Sequence, residues 1–245
     1  MKEKTPVKKT DDTAILVLKD VNVNASWGHI YGPVNLSIKK GGVTVIVGSG
    51  GRGRTSLLLT LAGRMKPSTG TVTSFGKINN PHGLFKRAGV GFIKEVDEIT
   101  QAIRVRDIVT ERLRWGAKWY KWVPPANESD LERLCRPVFG DLEIPHIDAM
   151  VEELPELTAA LLRIAAANAL KPEILVVGGV DTLTSNEAAE KLLERLVVLG
   201  EEQTIITADV NKIRTQIPVR ERIIVPNLTD LNFAKMESEE TEDIV

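Results

Sequence analysis

The run Val43-Thr-Val-Ile-Val47 passes directly into Gly48-Ser-Gly-Gly-Arg-Gly-Arg-Thr-Ser56, and this junction restricts the fold more than any other feature. A β-branched, almost wholly apolar run is the mark of a strand buried on both faces. Four glycines lie within the six positions from Gly48 to Gly53, and Arg54, Thr55 and Ser56 follow at the spacing of a phosphate-binding P-loop. Glycines allow successive backbone N–H groups to turn inward, and the helix that follows adds partial positive charge. Ser49 and Arg52 complete the loop. Arg54 stands where a lysine is expected; it is planar and always charged, yet can still make charge-assisted bonds to phosphate oxygens. The hydroxyl of Thr55 is placed to meet a Mg²⁺ ion.

Strand and helix signals alternate along the rest of the chain. Ile15–Val23, Pro33–Ile38, Gly70–Phe75, Val90–Ile93, Ile174–Val177, Thr204–Thr207 and Ile223–Val225 read as strands; Ser56–Gly63 and Glu187–Leu199 read as helices. Between about Glu95 and Ala169 the pattern is helical, broken at Pro124-Pro125 and Pro145. These alternations predict an α/β fold, a mostly parallel sheet of the P-loop NTPase type with an antiparallel β region and an inserted helical subdomain. Over the 245 residues the expected division is a loose tail at 1–13, a domain at 14–230 with the helical block at about 96–165, and an acidic tail at 231–245.

Composition narrows the function. Lys plus Arg number 32 and Asp plus Glu 33, so the chain lacks the basic footprint of a nucleic-acid binder, and no nucleic-acid partner is expected. The single cysteine, Cys135, allows no intramolecular disulfide and points to a reducing compartment; inside a helical pattern it reads as a small buried hydrophobe. No apolar stretch reaches the roughly 18 residues of a membrane span, and the first residues lack a signal-peptide core, so a soluble cytoplasmic chain is expected. His29, His82 and His146 share no ligand-like spacing.

Beyond the glycine loop, the segments Val34–Gly48, Leu57–Gly63, Lys66–Gly76, Gly91–Glu95, Val105–Ile108 and Ala165–Val177 make the chain resemble the ATP-binding domain of ABC transporters from Ile15 to Val225. The resemblance implies ATP as ligand, an integral membrane protein subunit as partner at the inner face of the membrane, and a homodimer or heterodimer of ATP-binding subunits. It also implies degeneracy. The family's glutamine falls on Glu95, its signature motif near Glu156-Leu-Thr-Ala-Ala160, its Walker B aspartate and adjacent glutamate on Gly178 and Gly179, its D-loop aspartate near Ser185, and its switch histidine on Ala208. Glycine carries no carboxylate to organise Mg²⁺ or to act as a base, which argues against the metal and against hydrolysis by the chain alone. Asp181 could reach inward, but a turn-forming or capping role is the preferred reading.

Trp27 is a candidate platform for the adenine ring, with Tyr31 a weaker one; anchoring a loop to the core is an equal alternative for Trp27. Trp115, Trp119 and Trp122 have helical spacing, with Lys118, Tyr120 and Lys121 between them. Packing the subdomain's small core is the preferred reading of this stripe, and a docking site for the partner is the sharper one. Two other functions compete with a non-hydrolysing transporter subunit: an ATPase active only in a mixed dimer with a competent partner, and a P-loop kinase of small metabolites.

Overall fold

The computed structural model describes residues 13–93, 96, 102–120, 122–210 and 216–226. The expected tails, Glu95 and Lys121 therefore lie outside the described residues, apart from Thr13 at the edge of the first tail. Two sheets form the frame. The antiparallel sheet has the order β2-β1-β4-β5, from Ala14–Ala25 (β1), Gly28–Lys39 (β2), Thr69–Ser74 (β4) and Lys77–Ile78 (β5). The second has the order β6-β7-β8-β3-β9, from Gly42–Val47 (β3), Ala88–Gly91 (β6), Ile174–Val177 (β7), Thr204–Asp209 (β8) and Glu221–Ile224 (β9). Every pairing in it is parallel. Among the described residues, α-helices span Arg52–Leu61 (α1), Pro81–Arg87 (α2), Val105–Gly116 (α3), Glu128–Phe139 (α4), Glu156–Asn168 (α5) and Asn186–Gly200 (α6).

The period of two along the parallel strands divides the interior. Val43, Val45, Val47, Leu175, Val177 and Ile205 pack into one apolar cluster with α3, α4, α5 and α6. Ile46, Ile174, Val176, Ile206 and Ala208 belong to a second cluster with α1 and the antiparallel sheet. A central sheet apolar on both faces requires this three-layer arrangement. The helical block shares the first cluster with the parallel sheet, so its core is continuous with that of the domain.

Local chemistry sets the element ends. Asn127 and Asp130 exchange bonds of 3.1 Å as a capping box at the start of α4, and Gly140 ends that helix with φ +60°. Ser185 caps α6 by accepting from the Ala188 N–H. Tyr31, fully buried, donates to Thr60 Oγ1 at 2.7 Å and ties β2 to α1, and burial pushes its phenol up to about 12. That burial removes Tyr31 as a base-stacking platform.

Three expectations are corrected. Helix α1 begins at Arg52 rather than Ser56, because Gly51, with φ +136°, already breaks the chain into the helix. Helix α3 ends at Gly116, so Trp119 and Trp122 are not on a helix with Trp115 and no helical stripe forms. Those tryptophans are also 69–95% exposed, so they pack no core. The pair β5 and α2 carried too short a pattern to be anticipated.

Candidate functional site

The glycine loop connects the C-terminal end of β3, in the middle of the parallel sheet, to α1. Ser49, Gly50, Gly51 and Arg52 are exposed, while Gly53, Arg54 and Ser56 are buried. The Gly48 N–H is not free for a ligand, since it donates to the Asp209 carbonyl at 3.2 Å. At the other end of the loop, the N-cap residue of α1 is Gly51, which has no side chain to satisfy the first helical N–H groups. Such an uncapped helix start is suited to an anion.

Arg54 does not reach outward over this loop. Its side chain, 9% exposed, donates through Nη2 to Asp181 Oδ2 at 2.8 Å. Nη1 of Arg54 and Oδ1 of Asp181 are buried without a hydrogen-bond partner. Asp181 sits in the 3₁₀ turn Val180–Thr182 just after β7, a turn position as expected, and from there it also pairs with Arg54. The chemistry of the pair is half complete: each ion has one charged partner and one unsatisfied atom.

The end of β7 explains why glycines stand there. A Cβ on residue 178 would overlap the Phe92 carbonyl oxygen, which the positive φ of Phe92, +57°, turns into that space. The Gly178 N–H donates to the Gly91 carbonyl at 3.1 Å, and Thr207 Oγ1 donates to the Gly178 carbonyl at 2.7 Å. A Cβ on residue 179 would lie 2.5 Å from Asp181 Oδ1 and 3.1 Å from Arg54 Nη2. Neighbouring backbone and the ion pair thus fill the volume that acidic side chains would need. Ala208 is fully buried in the cluster facing the antiparallel sheet. In sequence Phe92 reads only as part of the strand Val90–Ile93, because nothing in the amino-acid order marks a phenylalanine for positive φ.

The residues fit a phosphate group better than a metal ion. For phosphate they offer exposed glycine-loop backbone and an uncapped helix, while the Arg54 guanidinium is turned to Asp181. For Mg²⁺ the strand end offers two glycines beside Thr55, and among the described residues no three His, Cys, Asp or Glu side chains gather as a metal site.

Other candidates are spread apart. Trp27 lies in the turn between β1 and β2 and is 75% exposed. Glu156 opens α5, where its carboxylate accepts from the Thr184 N–H at 3.0 Å and from the Thr184 hydroxyl at 3.3 Å. In sequence this position reads only as the altered signature motif, since Thr184 lies 28 residues further along the chain. A cavity of about 500 Å³ lined by Gly63, Met65, Val72, Asn80 and Leu84 lies beyond the far end of α1 and includes no glycine-loop residue.

The family model described as ABC transporter matches residues 31–195. The sulfate/thiosulfate import ATP-binding protein CysA of Pectobacterium atrosepticum is 29% identical over 161 residues, 63% of this chain and 46% of CysA. A putative ABC transporter ATP-binding protein of Methanosarcina mazei is 26% identical over 222 residues, 86% of this chain and 72% of that protein. The chain spans less than half the length of several curated relatives, CysA and the ribose import protein RbsA of Pseudomonas putida among them. Among solved structures, cbiO1 from Clostridium perfringens, described as part of the ABC transporter complex cbiONQ, superposes with a TM-score of 0.67 at 20% identity, covering 94% of this chain and 95% of that one. A putative ABC transporter ATP-binding protein from Pyrococcus furiosus gives 0.65 at 18% identity, covering 86% and 96%. With its strand, glycine loop and helix inside a match that spans most of its length, the chain belongs to the ABC transporter family.

Proposed function

We propose that this chain is an ATP-binding-type ABC subunit that holds the phosphates of a nucleotide without hydrolysing them and serves as the cytosolic partner of a membrane protein. The observation that supports the absence of hydrolysis is the Phe92 carbonyl seated where a side chain at 178 would begin. Phosphoryl transfer needs a metal held near the phosphates and a positioned water, and loss of one positioned base costs about 10²–10⁴-fold. Here no carboxylate can be added at 178 without moving β6 away from β7. Asp181, the nearest acid in sequence, is engaged by Arg54.

A bound triphosphate supplies negative charge. The uncapped start of α1 attracts that charge, and Arg54 would turn to it only by leaving Asp181. Nucleotide binding on this reading competes with an internal ion pair, which keeps it weak. The proposed unit is residues 14–230, with the helical block at about 96–165 facing the partner. Relatives named as import ATP-binding proteins, and a neighbour described as part of a transporter complex, support a partner in transport.

The Glu156 carboxylate bears on dimers. It stands at the start of α5, where the resemblance implies a glycine-rich motif that caps the γ-phosphate of a second subunit. An acid there repels phosphate, so two copies of this chain would not close over ATP through this motif. A second subunit with an intact motif is the arrangement that would close on the Gly48–Ser56 loop.

Calorimetry of the native chain with ATP, with and without Mg²⁺, tests the proposal alongside a phosphate-release assay. Weak binding independent of Mg²⁺ with no phosphate release is expected. Tight, Mg²⁺-dependent binding, or rapid release by contaminant-free protein, would overturn it.

A further inference from the structure

The stretch from Arg112 to Trp122 contains Arg112, Arg114, Lys118 and Lys121 and no acid, together with Trp115, Trp119, Tyr120 and Trp122. Three of the chain's four tryptophans and one of its two tyrosines therefore lie within eight residues. All four rings face solvent: Trp115 is 69% exposed, Trp119 95%, Tyr120 66% and Trp122 78%. Leu170, 73% exposed, extends the apolar surface near Gly116, its Cδ2 lying 3.8 Å from where a Cβ on residue 116 would stand. Trp119 and Tyr120 meet edge to face at 5.7 Å. The Arg112 guanidinium lies 5.3 Å from the centre of the Trp115 ring, and Lys118 Nζ 5.8 Å from that of Tyr120.

Exposing this much ring surface to water is unfavourable, and a contiguous patch of it marks a binding surface. The charge pattern says which kind. Tryptophan and tyrosine settle at the headgroup level of a bilayer, apolar body inward and polar edge outward. Lysine and arginine beside them are drawn to anionic headgroups. Cations interleaved with rings, on the last turn of α3 and the segment just after it, suit a shallow, flat and negative surface. We infer that the ridge of Trp115, Trp119, Tyr120 and Trp122, with Arg112, Arg114 and Lys118 beside it, binds the interface of an anionic lipid bilayer. This goes beyond a membrane-protein partner, because it gives the chain its own contact with lipid, and it does not depend on the state of the glycine loop.

Flotation of the purified chain with vesicles tests it, using phosphatidylcholine alone and phosphatidylcholine mixed with phosphatidylglycerol. The expected result is flotation with the mixed vesicles, a blue shift of tryptophan emission, and little binding to the neutral ones. Trp119→Ala with Trp122→Ala should weaken binding by about tenfold or more, because two exposed rings lose their insertion. Arg114→Glu with Lys118→Glu should weaken it further and leave the remaining binding less sensitive to salt than that of the native chain. All four side chains lie on the surface or in a loop, and circular dichroism checks that each variant keeps the native fold. No flotation with mixed vesicles, equal flotation with both vesicle types, or unchanged flotation of either variant would overturn the inference. Retention only on vesicles carrying a reconstituted membrane protein would also overturn it and reassign the ridge to a protein groove.

Discussion

Arg54 and Asp181, 127 positions apart in sequence, form an ion pair at 2.8 Å beneath the glycine loop. The pair joins the first turn of α1 to the turn after β7, and it sets the charge that the loop presents. An arginine so engaged is a clamp on the protein first and a phosphate ligand second. The side chains are 9% and 12% exposed, so removing one leaves the other poorly solvated. Breaking a buried pair by deleting one partner costs about 3–5 kcal/mol, and this slightly open pair belongs at the low end. Asp181→Ala should therefore lower unfolding free energy by about 3 kcal/mol, while Arg54→Met with Asp181→Leu should recover most of the loss. Urea denaturation of the native protein, Arg54→Met, Asp181→Leu and the double variant measures the coupling, and a coupling near zero would mean that the pair contributes nothing to stability.

The same pair predicts a gain in affinity. If Asp181 holds Arg54 away from phosphate, Asp181→Asn releases a guanidinium while keeping the shape of the side chain. Nucleotide should then bind more tightly, by about fivefold to tenfold, for one recovered charge-assisted hydrogen bond of about 1.5 kcal/mol or less. Titration of native and variant protein with ATP without Mg²⁺ reads this directly. Equal affinities would mean that Arg54 stays with the turn regardless of its partner.

At Gly178 the prediction is steric. A Cβ would overlap the Phe92 carbonyl, and Gly178→Ala must push β6 and β7 apart where the Gly178 N–H to Gly91 bond now closes them. Backbone displacement and overpacking in a full site cost about 1–3 kcal/mol or more. Restoring acids through Gly178→Asp with Gly179→Glu should destabilise the chain and yield no phosphate release. A stable, hydrolysing double variant would show that only the missing carboxylates separate this chain from an ATPase.

The strands and the loop were legible because their signals are local. Val43–Val47 is apolar at nearly every position, and β3 is buried from Val43 to Val47. Ile174–Val177 and Thr204–Thr207 read the same way, and the glycines after β3 mark the turn into α1. What escaped depends on contacts distant in sequence. Asp181 reads as a turn residue, which it is, but its ion pair is invisible in sequence because Arg54 lies 127 residues away, and Phe92 reads as the end of a strand. The tryptophans have helical spacing, but Gly116 ends α3 and the segment after it does not resume a helix, which a count of positions cannot reveal.

Glu156 makes a different prediction. Its carboxylate joins the start of α5 to the segment before α6 through the Thr184 N–H and hydroxyl. The bonds are charge-assisted yet exposed, so Glu156→Gln should cost only about 0.5–1.5 kcal/mol. Hydrogen exchange is the sharper reading: the Thr184 amide should exchange faster in the variant, with the α6 core amides unchanged.

Asp148 governs part of the acid limb of stability. The hydrogen bonds from Arg106, at 2.8 and 3.0 Å, hold its carboxyl below the usual aspartate range. A depressed carboxyl stabilises the fold above its unfolded pKa, and that stabilisation is lost as pH falls through the folded value. Asp148→Asn should therefore narrow the gap between thermal midpoints at about pH 6 and about pH 3. A gap equal to that of the native protein would show that the Arg106 contact is too solvated to register.

Cys135 supplies the last prediction. It lies fully buried in α4 among Leu131, Val138 and Phe139, and burial pushes its thiol up to about 12. The thiolate is the reactive species, so at neutral pH this group presents almost none of it and no access either. A maleimide should label the native chain slowly, at the rate of opening of the helical block, and label it at once in denaturant. Because α4 shares its apolar cluster with the parallel sheet, labelling should slow further when nucleotide steadies the loop after β3. Fast labelling of the folded chain would mean that the helical block opens independently of the sheet, and the shared core would then hold the two together only loosely.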